Sequence, residues 1–125
     1  MSKGKIEADL NALISKFYKK GIGRGPKRIK SRIVEDMLII RIFKYPEPIV
    51  ELLKNHKNGI DIFVQLSRAI FESSEPLLRG IIQDFLGFQI KRSFYDENLD
   101  GNEITMLFIF EENIEEVLKD LEVII

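Results

Sequence analysis

The chain has no cysteine. Disulfides and thiolate metal sites are thereby excluded, and the composition fits a reducing compartment. Histidine occurs once, as His56 in the polar stretch Asn55-His56-Lys57-Asn58. A histidine-based metal centre would lack ligands, and neither a Ser-His-Asp nor a Cys-His set can be assembled. No stretch reaches the ~18 consecutive apolar residues of a membrane span. The start, Met1-Ser2-Lys3-Gly4-Lys5-Ile6-Glu7, lacks the apolar core of a secretory signal. The expected location is the cytoplasm. With no catalytic set, no metal site and no cofactor motif, the expected role is binding or regulation without catalysis.

What is present suffices for a folded core. The 125 residues are 45% apolar, which fits one domain spanning 1–125 that needs no covalent staples. The net charge of −1 hides an asymmetry. Residues 1–44 carry 12 basic and 4 acidic side chains, and residues 45–125 carry 7 basic and 16 acidic. Such a split points to an interaction surface.

Hydrophobic spacing orders the elements. Ile6, Leu10, Leu13, Ile14, Phe17 and Tyr18 recur at helical intervals, predicting a helix over 5–20 that Gly21 stops. Gly21-Ile22-Gly23-Arg24-Gly25-Pro26 reads as a loop. Ile- and Val-rich segments 27–34 and 37–43 read as a hairpin turning at Glu35-Asp36. A short helix over 46–54 and a longer one over 60–72 follow. Ser73-Ser74-Glu75-Pro76 then predicts a new cap or a kink, with helix resuming to Leu86 and stopping at Gly87. Segments 88–96 and 103–110 read as a second hairpin across Glu97–Asn102, and Asn113 caps a last helix over 114–121. The expected fold class is α+β, in the order α-β-β-α-α-β-β-α. Two β-hairpins would form a four-stranded antiparallel sheet with helices mainly on one face. Each hairpin is followed by a helix, a weak internal echo.

The most informative stretch is 16–32, which holds eight basic residues and no acid. Strand alternation puts Arg28, Lys30 and Arg32 on one face, opposite Ile29, Ser31 and Ile33. A two-residue turn at Glu35-Asp36 sets Lys30 across from Arg41, and like charges facing each other across a ladder are unfavourable. Something acidic should sit near them. Three counterparts are open: nucleic acid along the basic face; the acidic C-terminal part of this chain or of a second copy, with Glu111, Glu112, Glu115, Glu116, Asp120 and Glu122; or water and counterions. The near-neutral total argues against nucleic acid. Met37, Ile39 and Phe43 share the basic face, and apolar residues mixed with arginine are typical of protein interfaces. A homodimer through this face is expected unless another helix covers it. The candidate anion- or partner-binding residues are Arg24, Arg28, Lys30, Arg32 and Arg41, with Gly23, Gly25 and Pro26 shaping the loop.

Other motifs read blandly. The glycine-rich loop could cradle an anion with its N–H groups, but it follows a helix and precedes a strand, the reverse of a dinucleotide fingerprint. A tight helix-to-strand connection suffices. Asp96-x-Asn98-x-Asp100-Gly101 has a calcium-loop beginning, but the closing position falls on Leu107 and no helices flank it.

Gly23-Arg24-Gly25-Pro26-x-x-Ile29, followed by Asp36-Met37-Leu38-Ile39-Ile40-Arg41, resembles the MpsC-like family of small bacterial proteins, labelled as a Na+-translocating membrane-potential-generating system domain. The similarity takes in the leading helix, the helix bearing Arg68, Leu86-Gly87-x-x-Ile90 and Asp96, about residues 6 to 111. The chain departs from the family at Lys44-Tyr45-Pro46-Glu47-Pro48, where a Leu-Thr-x-x-Glu type segment is usual. The resemblance implies a cytoplasmic protein associated with a membrane ion-transport system, with a membrane-associated protein as partner. A chain with no span cannot itself translocate ions.

Overall fold

The computed structural model describes residues 2–23, 25–100 and 102–124, with backbone alone for Ile22 and 121–124. The order is α1 (Lys3–Ile22), β1 (Arg28–Val34), β2 (Met37–Phe43), α2 (Pro48–Lys54), α3 (Gly59–Leu86), β3 (Ile90–Asn98), β4 (Glu103–Phe110) and α4 (Ile114–Ile124). The strands form one antiparallel sheet in the order β1-β2-β4-β3, so the two hairpins lie back to back with β2 against β4. This is the α+β arrangement expected from the sequence.

Helix α1 starts where the Ser2 side chain accepts a hydrogen bond from the Lys5 N–H. It ends two residues beyond the expected stop. Gly23, not Gly21, takes the left-handed conformation (φ 84°) that closes the helix, with its N–H bonded to the Lys19 carbonyl; only glycine adopts that geometry freely. Side chains of α1 reach along β1. Glu7 accepts the Ile33 N–H at 2.8 Å, Lys3 donates to the Ile33 carbonyl at 3.4 Å, and the Ser31 hydroxyl donates to the Asn11 side-chain oxygen at 2.5 Å.

The expected turn holds, with Val34 opposite Met37 and Lys30 opposite Arg41. Glu35 carries the positive φ of 56° that a two-residue turn needs. Alternation then separates the faces. Ile33, Leu38, Ile40, Ile42, Ile104, Met106, Phe108 and Phe110 point inward and are buried with Ile6, Leu10, Ile14 and Tyr18 of α1, Leu78 and Ile82 of α3, and Ile114 of α4. All this packing lies on one face.

The new helix cap that Ser73–Pro76 offered as one alternative does not form. Helix α3 runs unbroken through Pro76. Proline forfeits one backbone donor, but the Ser74 hydroxyl donates to the Phe71 carbonyl nearby, and Leu78 and Ile82 continue the buried face on the far side. Packing overrides the local signal. Helices α2 and α3 meet so closely that a Cβ on Gly59 would lie 1.6 Å from the Leu53 carbonyl oxygen, so this junction admits no side chain. Strand β3 runs two residues past its expected end and takes in Glu97 and Asn98. The connector is correspondingly shorter, and its Gly101 lies outside the described residues. Asn113 caps α4 as expected, accepting the Glu116 N–H at 3.1 Å. Among the described residues no helix is long and apolar enough to cross a membrane.

Candidate functional site

The outer face of the sheet gathers most of the sequence candidates. Its residues fall into four rows running from β1 through β2 and β4 to β3: Arg28, Phe43, Glu103, Asn98; Lys30, Arg41, Thr105, Asp96; Arg32, Ile39, Leu107, Phe94; and Val34, Met37, Ile109, Arg92. None of these sixteen residues is buried, so no described helix covers them. Arg28, Lys30, Arg32 and Arg41 are brought together as a basic band on β1 and β2. Arg24 lies outside the described residues.

The strain of Lys30 facing Arg41 has a local remedy. The Arg41 Nε donates to Glu103 Oε1 at 2.5 Å, and the guanidinium lies 5.0 Å from the centroid of the Phe43 ring, which Arg28 also approaches at 4.9 Å. The hydrogen bond from Arg41, helped by Lys30, holds the Glu103 carboxyl below its ordinary range. The acidic counterpart is therefore a β4 residue that the sequence reading did not single out. Glu115, one of the expected counterparts, is engaged elsewhere: Lys3 sits 2.7 Å from it, and Glu35 N–H donates to its other oxygen. The Glu122 side chain lies outside the described residues.

A second site lies on the inner side. The C-terminal half of α3 is pinned to the core by Leu78 and Ile82, whereas its N-terminal half packs on α2 around Val50 and Phe63. Between these anchors a cavity of about 340 Å³ opens. Of the loop-shaping residues, Gly25 and Pro26 form part of one wall, while Gly23 closes α1. Ile42 and Ile104 of the sheet, Leu53 of α2 and Phe63, Leu66 and Phe71 of α3 supply apolar walls. Phe71 and Tyr95 stack at 4.4 Å across the gap between α3 and β3.

The cavity also holds a compact polar group. Glu97, whose side chain is only 8% exposed, sits 2.9 Å from Lys44 Nζ and accepts the Tyr95 hydroxyl at 2.5 Å. Glu47 stands 3.9 Å from the same ammonium. Tyr18 completes the lining. Sequence reasoning missed this group because Glu97 read as a turn residue. The signal available was period-two alternation continuing from Tyr95 to Glu97, which places both on the inner face.

Both phenols resist ionisation. Burial, then the nearby Glu97 charge, pushes the Tyr18 hydroxyl up; burial, then the hydrogen bond to Glu97, does the same for Tyr95. A group whose pKa is raised by folding contributes stability that is intact below its unfolded value and lost as pH climbs toward the folded one. Unfolding free energy should therefore fall from about pH 10 upward, with a slope for the well-buried Tyr18 near 1.4 kcal/mol per pH unit. Urea titrations at a series of alkaline pH values measure it, and Tyr18→Phe should flatten the decline.

Among the described residues no cluster of three or more His, Asp or Glu could hold a metal ion. The family profile for the Na+-translocating membrane potential-generating system (MpsC) matches residues 2–112. A Bacillus subtilis (strain 168) protein described as "Uncharacterized protein YbcI" is 28% identical over 121 residues, covering 94% of this chain and 98% of the relative. No solved structure matches. The profile match spans most of the chain: the chain belongs to the MpsC family.

Proposed function

We propose that this chain is a non-catalytic binding module, accessory to a membrane ion-transport system on its cytoplasmic side, that works as a homodimer formed through the outer sheet face. The family description supports the association with ion transport. The observation that carries the dimer is the pattern of the four uncovered rows.

A two-fold axis in the interface, parallel to the strands, lays β1 over β3 of a second copy and β2 over its β4, keeping each row in register with itself reversed. Lys30 then meets Asp96, Arg28 meets Asn98, and Arg32 meets the ring of Phe94, which is 47% exposed. In the centre Ile39 meets Leu107 and Met37 meets Ile109. One rim pair, Lys30 with Asp96, joins opposite charges and two central pairs join apolar side chains, features of protein interfaces, while Phe43 meets Glu103, Arg41 meets Thr105 and Val34 meets Arg92. Sheets packed this way keep their strands within about 30° of each other. With strands about 4.8 Å apart and same-face residues about 6.8 Å apart, the four rows cover on the order of 500 Å² per subunit. That is near the ~1,000 Å² total at which specific interfaces begin, so a reversible dimer is expected.

Charge exchange tests the reading. Sedimentation velocity at tens of micromolar should show a dimer for the native chain, a monomer for Lys30→Asp and for Asp96→Lys, and a dimer again for the double variant. Tagged and expressed in the host, the native chain and the double variant should co-purify with sodium-transport subunits of the membrane fraction, and the single variants should not. A native monomer, or a double variant no better than its parents, refutes the interface; dimers that recover no transport subunit refute the accessory role.

A further inference from the structure

We propose that the cavity between α3 and the inner sheet face is a ligand site for an uncharged organic molecule with a largely apolar body and one hydrogen-bond-accepting head, a carbonyl or a hydroxyl. The basic outer face has no part in this site, so the proposal is independent of the dimer.

Size comes first. About 340 Å³ falls in the range of roughly 300–1,000 Å³ typical of small-molecule sites. The walls are mainly aliphatic and aromatic, with few partners for water. Ordered water needs two to four polar contacts, and beyond the group around Lys44 and Glu97 the polar side chains of the lining are Tyr45, Ser67 and Ser74. An apolar body has most of the lining to itself, and the stacked pair Phe71–Tyr95 offers a flat surface to a ring.

Charge comes second. Lys44 is already matched by Glu97 at 2.9 Å, with Glu47 at 3.9 Å. An anionic ligand would approach two carboxylates and an ammonium whose charge is spent. A cationic one would lose its hydration among apolar walls while Glu97 is engaged by both Lys44 and Tyr95. A neutral molecule avoids both penalties.

The head group follows from the hydroxyls. Tyr95 donates its proton to Glu97. Tyr18 lines the cavity and is 9% exposed, and among the described residues no buried side-chain polar atom lacks a partner, so a Tyr18 hydroxyl that no protein acceptor holds is one that solvent in the cavity reaches. Both phenols stay protonated across the neutral range, for the reasons given above. Tyr18 thus offers a hydroxyl to the cavity at the edge of an apolar space, and a ligand carbonyl or hydroxyl can take the place of water on it.

Prodan, a neutral naphthalene with one carbonyl, is a suitable probe because its emission reports both polarity and hydrogen bonding to that carbonyl. Titrated with the whole chain, it should bind saturably with one site per chain and a blue-shifted emission. Tyr18→Phe should weaken binding about threefold to tenfold, the range of one hydrogen bond, and move the emission further to the blue. Ser67→Phe, which fills the cavity, should weaken it at least tenfold. Ile62→Lys with Leu77→Lys, which alters exposed apolar residues of α3 outside the cavity, should leave it unchanged. The proposal is overturned by a titration that does not saturate. It is also overturned by loss of binding in the α3 surface variant, or by unchanged affinity in Ser67→Phe with a native circular dichroism spectrum. If Ser67→Phe fails to fold, Tyr18→Phe decides: the same affinity and emission as the native chain defeats it.

Discussion

Replacing Phe108 with alanine lowers the unfolding free energy by about 3–5 kcal/mol, the range for deleting a buried phenylalanine. The ring is fully buried on the inner face of β4, a central strand, beside Leu38 of β2 and Ser93 of β3. Helices cover this face and Phe108 belongs to the shared core with Leu38, Ile40 and Met106, so the space cannot collapse without moving an element. A domain of this size has on the order of 5–15 kcal/mol in total. The melting temperature should accordingly fall by roughly 10–20 °C. Phe94→Ala serves as the internal control. It removes the same ring from the same sheet, but from the exposed outer face, and below the dimer concentration it should cost less than about 1 kcal/mol. Urea denaturation of the two variants measures the contrast. Equal losses would mean that the two faces are buried alike, and a larger loss for Phe94→Ala that the face assignment is reversed.

The second large effect concerns Lys44. Lys44→Met leaves the Glu97 carboxylate nearly buried with its cation gone. Breaking a buried pair from one side costs about 3–5 kcal/mol. Because the Lys44 side chain remains 20% exposed, about 2–4 kcal/mol is expected here, discounted for solvent. The single variant isolates a charge, whereas Lys44→Met with Glu97→Gln removes both charges and keeps an acceptor for the Tyr95 hydroxyl. The double variant should recover most of the loss, giving a coupling energy of about 1–3 kcal/mol in the double-mutant cycle. If the two single changes simply add, the pair is solvated and contributes little.

These two sites differ in how legible they were. Phe108 lies in Met106-Leu107-Phe108-Ile109-Phe110, a run that reads as a strand from composition alone. The turn at Glu35-Asp36 fixed the register of the first hairpin, and with it the basic band. Two things resisted. Pro76 reads as a helix breaker because local chemistry is all a sequence displays, whereas Leu78 and Ile82 hold the helix on course through contacts with distant residues. The Lys44–Glu97 pair joins positions 53 residues apart and exists only because β2 and β3 flank β4. Nothing near either residue announces the other. The sequence reading asked for something acidic near Lys30 and Arg41 and left nucleic acid, the C-terminal acids and solvent open. Strand order supplied Glu103 instead, since β4 pairs directly with β2.

The hydrogen bonds from α1 to Ile33 bear on how the sheet can be extended. A strand at a sheet margin offers unpaired N–H and C=O groups to any passing chain, a common start for aggregation. Glu7 and Lys3 occupy both backbone groups of Ile33. A foreign strand arriving alongside β1 must first peel off a helix whose Leu10 and Ile14 are wholly buried. Growth of this sheet into a fibre from that side is therefore coupled to unfolding of the N-terminal helix.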